Sequence, residues 1–525
     1  MSDGGLLPGR ATPEGCRAWA EARHRADPTL VAGTYRRLGR TNLIVSKLGF
    51  GGYRTDEHHP EHRQALDAAL VEGCNLLDTS TNYMDGGSER LFGEVLRQGI
   101  AEGLIGREQI VVVSKAGYIQ GANLRRAEER KEAGEPFPEV VEYAAGCWHC
   151  IHPHFLADQL DRSLARLGLE SLDCLLLHNP EYFLADARQR GQQGVEAARD
   201  TFYQRIERAF LFCELMVREG RIGWYGVSSN TLPASGDDFG YVNLALLWEA
   251  AQAAAREVHG DGTAHHFGVV QLPYNLLETE ALTRANTPVG DETVPVLEAA
   301  RYFELGVLVN RPLNAMHPNG SLLRLATPDP QAGDTDLQVA LEEGLEEVAA
   351  AEVAVDRLLA ANDVASRFVD GDLFCLSREL RAALPQIQGV DHWHHIAGQA
   401  VLPNINKMVR FLHHNVAASA GPEWERVRDD YLQAVNRLLP VVEPALLARA
   451  VAANEPLRHR LVALIGPAGE SLSLSQIALA FVTSSPGVTT VLNGMRRVRY
   501  VTDAAACLGM EDLPDVHALA AAMRE

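Results

Sequence analysis

Eight short apolar runs recur along the chain, each too continuous to alternate between a wet and a dry face. They lie at residues 48–52, 75–79, 110–115, 172–178, 222–228, 268–272, 306–310 and 487–492. A strand buried on one face alternates apolar and polar side chains, whereas a strand buried on both reads as an unbroken run. Helical patterns fill the intervals. Residues 61–72 place Leu66, Ala69 and Leu70 on one side and close at Gly73. Residues 88–97 begin with Ser88 as the expected N-cap, and residues 155–167 carry Phe155, Leu156, Leu160, Leu164 and Leu167 on one face before Gly168. Further patterns span 203–218, 242–258 and 293–305. Eight such strands with helices between them predict an α/β fold, a (β/α)₈ TIM barrel. A doubly wound sheet is the alternative, and it lacks here the glycine-rich dinucleotide fingerprint after its first strand.

The pattern has three additions. Residues 1–34 are polar and punctuated by Gly and Pro, and predict an N-terminal extension lying on the surface. Residues 116–153 form a long segment after strand three. Residues 315–470 form a helical insertion after strand seven, leaving 35–314 and 471–525 for the barrel. In the insertion Leu337, Leu341, Leu345 and Val348 recur at helical spacing, with Glu342, Glu343, Glu346 and Glu347 on other faces. A second helix is predicted over 424–439, with Trp424, Val427, Tyr431, Val435 and Leu438 as its stripe. Loops after barrel strands build the ligand-binding rim, so both insertions are candidates for lids or substrate walls. A helical subdomain that only stabilises or oligomerises the chain is the plainer reading.

Composition narrows the partners. The 525 residues carry 48 Lys+Arg against 69 Asp+Glu, a formal charge of −21. That argues against a general nucleic-acid or anionic-membrane binder. No run approaches the roughly 20 apolar residues of a spanning helix. The opening MSDGGLLPGR has no basic-then-apolar signal pattern. Eight cysteines in this length are too sparse for a disulfide scaffold, so a cytoplasmic protein is expected.

Three of the predicted strands end in ionisable residues: Asp78, Lys115 and His178. A charge at the end of a buried strand needs a partner, and Asp78 and Lys115 on neighbouring strands can serve each other. Tyr83 lies five residues past Asp78, in the following loop. An Asp, a Tyr, a Lys and a His at one barrel mouth suit carbonyl reduction. Hydride arriving at a carbonyl carbon puts negative charge on oxygen, where a proton must be supplied. A phenol beside an ammonium can supply it, a carboxylate can hold that ammonium, and an imidazole can orient the oxygen. The plainer reading is a buried ion pair with a rim Tyr and a rim His.

The motifs around these residues resemble the aldo-keto reductase family. YRRLGRTNLIVSKLGFGGY (35–53) resembles the family's N-terminal hairpin and first strand, and LLDTSTNYMDGGSERLFGEVL (76–96) resembles its most specific motif. The resemblance implies Asp78, Tyr83, Lys115 and His178 as the catalytic set, with Tyr83 the general acid, Lys115 and Asp78 its tuners and His178 orienting the carbonyl. It implies NADPH (NADP+) as cofactor, bound across the barrel mouth without a Rossmann fold, and a small-molecule aldehyde or ketone as substrate. Gly52, Ser229, Asn230 and Gln271 fall at cofactor positions, the last three at the nicotinamide carboxamide.

The chain departs from the family in two places. Where relatives carry a stacking aromatic followed by an SPL-like sequence, this chain has VNRPLNA. Asn310 and Arg311 therefore stand at the cofactor there, with Arg311 open to phosphate or substrate. In VLNGMRRVRYVTDAA, Gly494 fits the turn that approaches phosphate, and Arg496, Arg497 and Arg499 fit a clamp on a 2′-phosphate. GCWHCIHPH (146–154) offers zinc-type side chains, but no second well-spaced pair accompanies it, so no metal is assigned. Trp148 or His149 is instead expected at the substrate pocket. His392, His394, His395, His413 and His414 in the insertion are read as solvated or packed. The competing function is a weakly catalytic or non-catalytic nucleotide-binding barrel that acts through partners by its helical insertion. A homo-oligomer is left open.

Overall fold

The computed structural model describes residues 5–191, 194–316, 322–326, 337–362, 375–387 and 389–523. The chain divides into two compact units. One comprises Met1–His317, Leu323–Leu325 and Ser471–Glu525; the other comprises Pro318–Leu322 and Ala326–Glu470.

The first unit is a closed eight-stranded barrel: β1 (Leu48–Gly51), β2 (Leu76–Asp78), β3 (Val111–Ala116), β4 (Leu172–His178), β5 (Ile222–Ser228), β6 (Phe267–Pro273), β7 (Gly306–Asn310) and β8 (Thr490–Asn493). The strands follow chain order around the barrel and are all parallel. The unbroken apolar runs are explained by burial on both faces: every residue of β1 to β4 is buried. Register sets the level of the site. Asp78 stands opposite Val113, Lys115 opposite Leu176, and Ser228 opposite both His178 and Gln271. At Gly226, where the β5–β6 register shifts, an added Cβ would lie 1.7 Å from the Val269 carbonyl oxygen, so only glycine permits that strand approach.

Three local expectations are corrected. The last strand begins at Thr490, because residues 485–488 form a turn with Val488 donating to the Ser485 carbonyl. The helix expected over 293–305 is confined to Val296–Tyr302. Its forward part is used in a hairpin, Ala285–Val289 with Glu292–Pro295, and Pro295 caps the helix. Ser88 is not an N-cap. The helix Gly87–Ala101 is capped at Gly86, and the Ser88 hydroxyl is buried against Thr79 Oγ1 (2.8 Å) and Thr55 Oγ1 (3.1 Å).

The largest correction concerns the N-terminal segment, which is not a surface extension. Pro13–Ala26 is a helix whose first turn is capped by Thr12 accepting from the Gly15 N–H. Cys16, Trp19 and Ala20 are buried. Ala11 and Cys16 pack into the cluster that fills the barrel floor with Leu76, Val111, Val113, Cys174, Val269 and Leu308. Asp173, 1% exposed, locks the segment down. It accepts from the backbone N–H groups of Ala11 (2.6 Å) and Val112 (2.7 Å) and from Arg107 (2.8 Å). The apolar residues of this helix are Cys16, four alanines and Trp19, which show no helical stripe in sequence.

The second unit is helical. Its main elements are Leu337–Ala361 and Leu402–Ile465, the latter broken at Gly421 (φ 38°). Both predicted stripes are buried in one core: Leu341, Leu345 and Val348 from the first helix, and Trp424, Val427, Tyr431, Val435 and Leu438 from the second. Among the described residues, no helix is long and apolar enough to cross a membrane.

Candidate active site at the C-terminal mouth of the barrel

Because the strands are parallel, the ends of β2, β3, β4, β5 and β6 share one rim, and Asp78, Lys115, His178, Ser228 and Gln271 converge there. Lys115 Nζ lies 2.7 Å from Asp78 Oδ2, 2.8 Å from the Thr79 carbonyl oxygen and 3.5 Å from the Tyr83 hydroxyl. Gln271 Nε2 donates to Asp78 Oδ1 (3.1 Å), and Ser228 Oγ donates to Gln271 Oε1 (2.7 Å). Tyr83 opens a tight turn, Tyr83–Gly86, in which Met84 (φ 49°) and Asp85 (φ 53°) adopt left-handed backbone. Two consecutive non-glycine residues there store strain beside the candidate phenol.

Burial dominates the electrostatics. It pushes the Asp78 carboxyl up, against the pull of Lys115 and Gln271. Burial alone would lower Lys115, but Asp78 and Tyr83 beside it outweigh that, so its ammonium is held more firmly than usual. The Tyr83 phenol is pushed up by burial, and Lys115 only partly offsets this. His178 falls well below its ordinary value through burial, then through Lys115 and His149. At neutral pH the site holds a protonated phenol, an ammonium and a neutral imidazole.

His178 sits in a ring of polar and aromatic side chains. Ser80 Oγ is 3.0 Å from its Nδ1, and His149 Nε2 is 2.7 Å from its carbonyl oxygen. Tyr83 and Tyr118 meet its ring edge-on, with centroids at 5.8 and 4.7 Å. Tyr118 also meets Tyr182 (5.2 Å), which stacks on His149 (5.5 Å). The segment after β3 supplies this wall through a small antiparallel sheet of Tyr118–Ile119, Cys147–His149 and Val141–Ala144. An added Cβ at Gly117 would lie 2.5 Å from the His178 carbonyl oxygen, so glycine lets the segment pass under the site. His149 thus packs against the His178 backbone, while Trp148 lies on the same small sheet. The Cys150 thiol donates to the Pro138 carbonyl (3.3 Å), His152 caps the next helix, and the Cys147 sulfur accepts from Gln120.

The other predicted residues fall around the same rim with different surroundings. Gly52 follows β1 and donates its N–H to the Asp78 carbonyl (2.7 Å); a Cβ there would meet Ser88 Oγ at 2.5 Å. Ser229 is buried, its N–H on the Gln271 carbonyl, while Asn230 is exposed. Asn310 ends β7, and its Oδ1 is buried without a protein partner. Arg311 (φ 54°) is paired with Glu278 (2.9 Å). Gly494 follows β8 with no heavy atom within 4 Å of a Cβ position, leaving that stretch of rim open. Arg497 is ion-paired to Glu61 (3.3 Å), and the Arg496 charge reaches His62. An orphaned buried amide oxygen at Asn310, an exposed Asn230 and an open glycine turn on one rim fit an extended polar ligand.

Sequence reasoning missed Ser80, Tyr118 and Glu181. Glu181 is buried; its Oε1 accepts from Asn179 Nδ2 (3.0 Å) and the Asn230 N–H (2.8 Å), and burial raises it to about 7. It braces the turn after His178 to the turn after β5. The LHNPE sequence put a carboxylate three residues past His178, and that was the available signal.

Residues 47–292 match the family model of the Aldo/keto reductase family. Among curated proteins, the NADH-specific methylglyoxal reductase of Escherichia coli is 28% identical over 149 residues, 27% of this chain and 40% of that protein. The 6-dehydroglucose reductase of Novosphingobium aromaticivorans is 28% identical over 156 residues, 28% of this chain and 42% of that protein. The chain therefore spans about two fifths of the length of these curated relatives. Among solved structures, a glycerol dehydrogenase of Gluconobacter oxydans is 15% identical, with 94% of this chain and 95% of that one covered at a TM-score of 0.46. An aldo/keto reductase of Klebsiella pneumoniae in complex with NADP and acetate is 17% identical, with 91% and 90% covered at a TM-score of 0.39.

Proposed function

We propose, from the match of residues 47–292 to the Aldo/keto reductase family model, that the chain is an NADPH-dependent oxidoreductase interconverting an aldehyde or ketone with its alcohol. The observation that carries this is the buried Asp78–Lys115 pair at the strand ends, in contact with the half-buried Tyr83 and with the His178 ring beside that phenol. Bound NADPH would supply the hydride to the carbonyl carbon.

The residues of the chain do the rest. Tyr83 holds the proton that must reach the carbonyl oxygen. Its raised pKa keeps it protonated at neutral pH, and the Lys115 ammonium at 3.5 Å stabilises the phenolate left after transfer. Asp78 keeps that ammonium charged and in place, and Gln271 holds the second oxygen of Asp78. His178, neutral and fixed at Nδ1 by Ser80, presents Nε2 to the carbonyl oxygen. Tyr118, Tyr182 and His149 wall the mouth and limit water beside the reacting atoms.

Asn310, Ser229, Asn230 and Gln271 are the proposed contacts to the nicotinamide end of the cofactor, with Gly52 packing beneath. Gly494, Arg496 and Arg497 are the proposed contacts to its phosphates, and Arg311 lies between the two sets once released from Glu278. The names of the curated relatives suggest small dicarbonyls and oxidised sugars as first substrates to screen. We also read the protein as cytoplasmic, in keeping with eight free thiols.

The test is turnover of NADPH with a panel of such carbonyls by the wild type and by Tyr83→Phe. Turnover lost in the variant with cofactor binding retained supports the assignment. Equal turnover in both removes Tyr83 from the chemistry.

A further inference from the structure

At the opposite end of the barrel, three potential metal ligands come from three elements. Glu214 lies near the end of the helix Val195–Arg218, just before β5. His259 ends the helix Leu244–His259, and His266 immediately precedes β6. Glu214 Oε2 is 3.0 Å from His259 Nε2 and 2.8 Å from His266 Nδ1, and the three atoms lie within 4.8 Å of one another. We propose that Glu214, His259 and His266 form a binding site for a divalent transition-metal ion of the zinc class. This inference does not depend on the function proposed above.

The donor set suits that ion. Two imidazole nitrogens and a carboxylate oxygen, with one position left for water, make a common four-coordinate arrangement. Metal–ligand distances of about 2.0–2.2 Å put neighbouring ligand atoms roughly 3.3–3.5 Å apart, so each ring nitrogen draws back from Glu214 Oε2, now at 3.0 and 2.8 Å, by about half an ångström. They have room to do so. The side chains of His259 and His266 are 21% and 30% exposed, while that of Glu214 is fully buried. Solvent therefore reaches the ligand cluster from the histidine side.

The carboxylate is held ready. Its other oxygen, Oε1, accepts from the Tyr225 hydroxyl (2.8 Å) and from the His266 backbone N–H (2.7 Å). Those bonds fix the carboxylate plane and leave Oε2 facing the rings, an outer layer of the kind that orients metal ligands. Burial pushes Glu214 up, but hydrogen bonds from His266, His259 and Tyr225 outweigh it, so the group lies below its ordinary value. On metal entry the protons shared between Oε2 and the two rings are displaced. Each ring then binds as the neutral tautomer, with its proton on His259 Nδ1 or His266 Nε2, and any surplus proton leaves to water.

Three protein ligands and a water make an open site rather than a closed four-ligand one, but its place in the barrel sets it apart from turnover. The N-terminal face of such a barrel lies away from the ligand-binding rim. An ion here would tie two helices to the start of β6 and stabilise the barrel by mass action.

The experiment uses the full chain, stripped with chelator and dialysed, then titrated with Zn²⁺ by calorimetry and with Co²⁺ by absorption. We expect one equivalent bound with roughly micromolar or tighter affinity. His266→Gln should weaken it about a hundredfold, and His259→Gln, on the less demanding helix end, should do the same if the first variant folds poorly. The Co²⁺ spectrum should lack a thiolate charge-transfer band, and Asp56→Asn, in the separate Asp56–Glu57–His58 cluster, should leave affinity unchanged. Three results would overturn the proposal: no saturable binding, affinity indifferent to both histidine variants, or a thiolate band that disappears with Cys147→Ser.

Discussion

Ser80 Oγ lies 3.0 Å from Nδ1 of His178 and 2.7 Å from Oδ1 of Asn82. The hydroxyl has one proton, and the partner that receives it sets the tautomer of His178. If it goes to Nδ1, the imidazole carries its own proton on Nε2 and can donate to a carbonyl oxygen. If it goes to Asn82 or to the Lys115 carbonyl oxygen (3.2 Å), Nδ1 must donate to the hydroxyl, and Nε2 becomes an acceptor that cannot polarise the substrate. The proposed reaction requires the first state.

Ser80→Ala therefore tests orientation rather than chemistry. Without the hydroxyl the two tautomers compete, and we expect kcat to fall about tenfold, the worth of one hydrogen bond. Cofactor affinity should not change. Nitrogen NMR of the His178 ring reads the tautomer directly. An unchanged spectrum with unchanged kcat would show that Ser80 does not set it.

Tyr83→Phe should lower kcat by about 10²–10⁴-fold, the usual contribution of a positioned general acid. The pH profile follows from the raised phenol. A donor must be protonated, so activity should stay level through neutrality and fall only as pH rises past the ordinary tyrosine range. Lys115 is raised too, so its ion pair stabilises the fold below the ordinary lysine pKa and that contribution is lost only at higher pH. An alkaline limb near neutrality in kcat would contradict the burial of this pair.

The core of this site was legible because its chemistry sits on strand ends. Asp78, Lys115 and His178 each end or nearly end an apolar run, and the parallel register brings them to one rim. Both helical stripes of the insertion were legible for the same reason, that burial imposes a period. The side chains around the site were not. Ser80, Tyr118 and Glu181 act through loop geometry, which leaves no period in the sequence. The N-terminal helix was missed because Cys16 and Ala20 are too small to announce a buried face.

That helix makes a measurable contribution. Trp19 is 4% exposed, donates Nε1 to the Gly73 carbonyl (3.1 Å) and lies under the Arg23 guanidinium (4.3 Å). Trp19→Ala should cost about 3 kcal/mol or more in urea unfolding of the full chain, as burial of a large aromatic implies. A loss under about 1 kcal/mol would mean the segment is not part of the barrel's cooperative core.

His149 predicts acid sensitivity. Burial pushes it down to about 4, against a hydrogen bond to the His178 carbonyl that favours the charged form. Between its ordinary value and pH 4 the unfolded chain takes up a proton that the native site refuses. Stability should thus fall over that window by roughly 3 kcal/mol from this group, with no further loss below it. His149→Gln should flatten the slope between pH 6.5 and 4.5 in urea melts; an equally steep variant would move the sensitivity to another group.

Cofactor choice turns on Arg497. Its guanidinium is paired to Glu61 at 3.3 Å, with both side chains half-exposed or more, so the pair is weak and a phosphate can replace the carboxylate. A 2′-phosphate carries more charge than Glu61 and accepts two parallel hydrogen bonds from one guanidinium. Arg497→Ala should therefore raise the KM for NADPH about tenfold while leaving that for NADH nearly unchanged. Glu61→Gln frees the arginine and should lower the KM for NADPH alone. If Arg497→Ala affects both cofactors equally, the arginine contacts the shared part of the dinucleotide. If it affects neither, the clamp assignment fails and the preference must be set elsewhere on the rim.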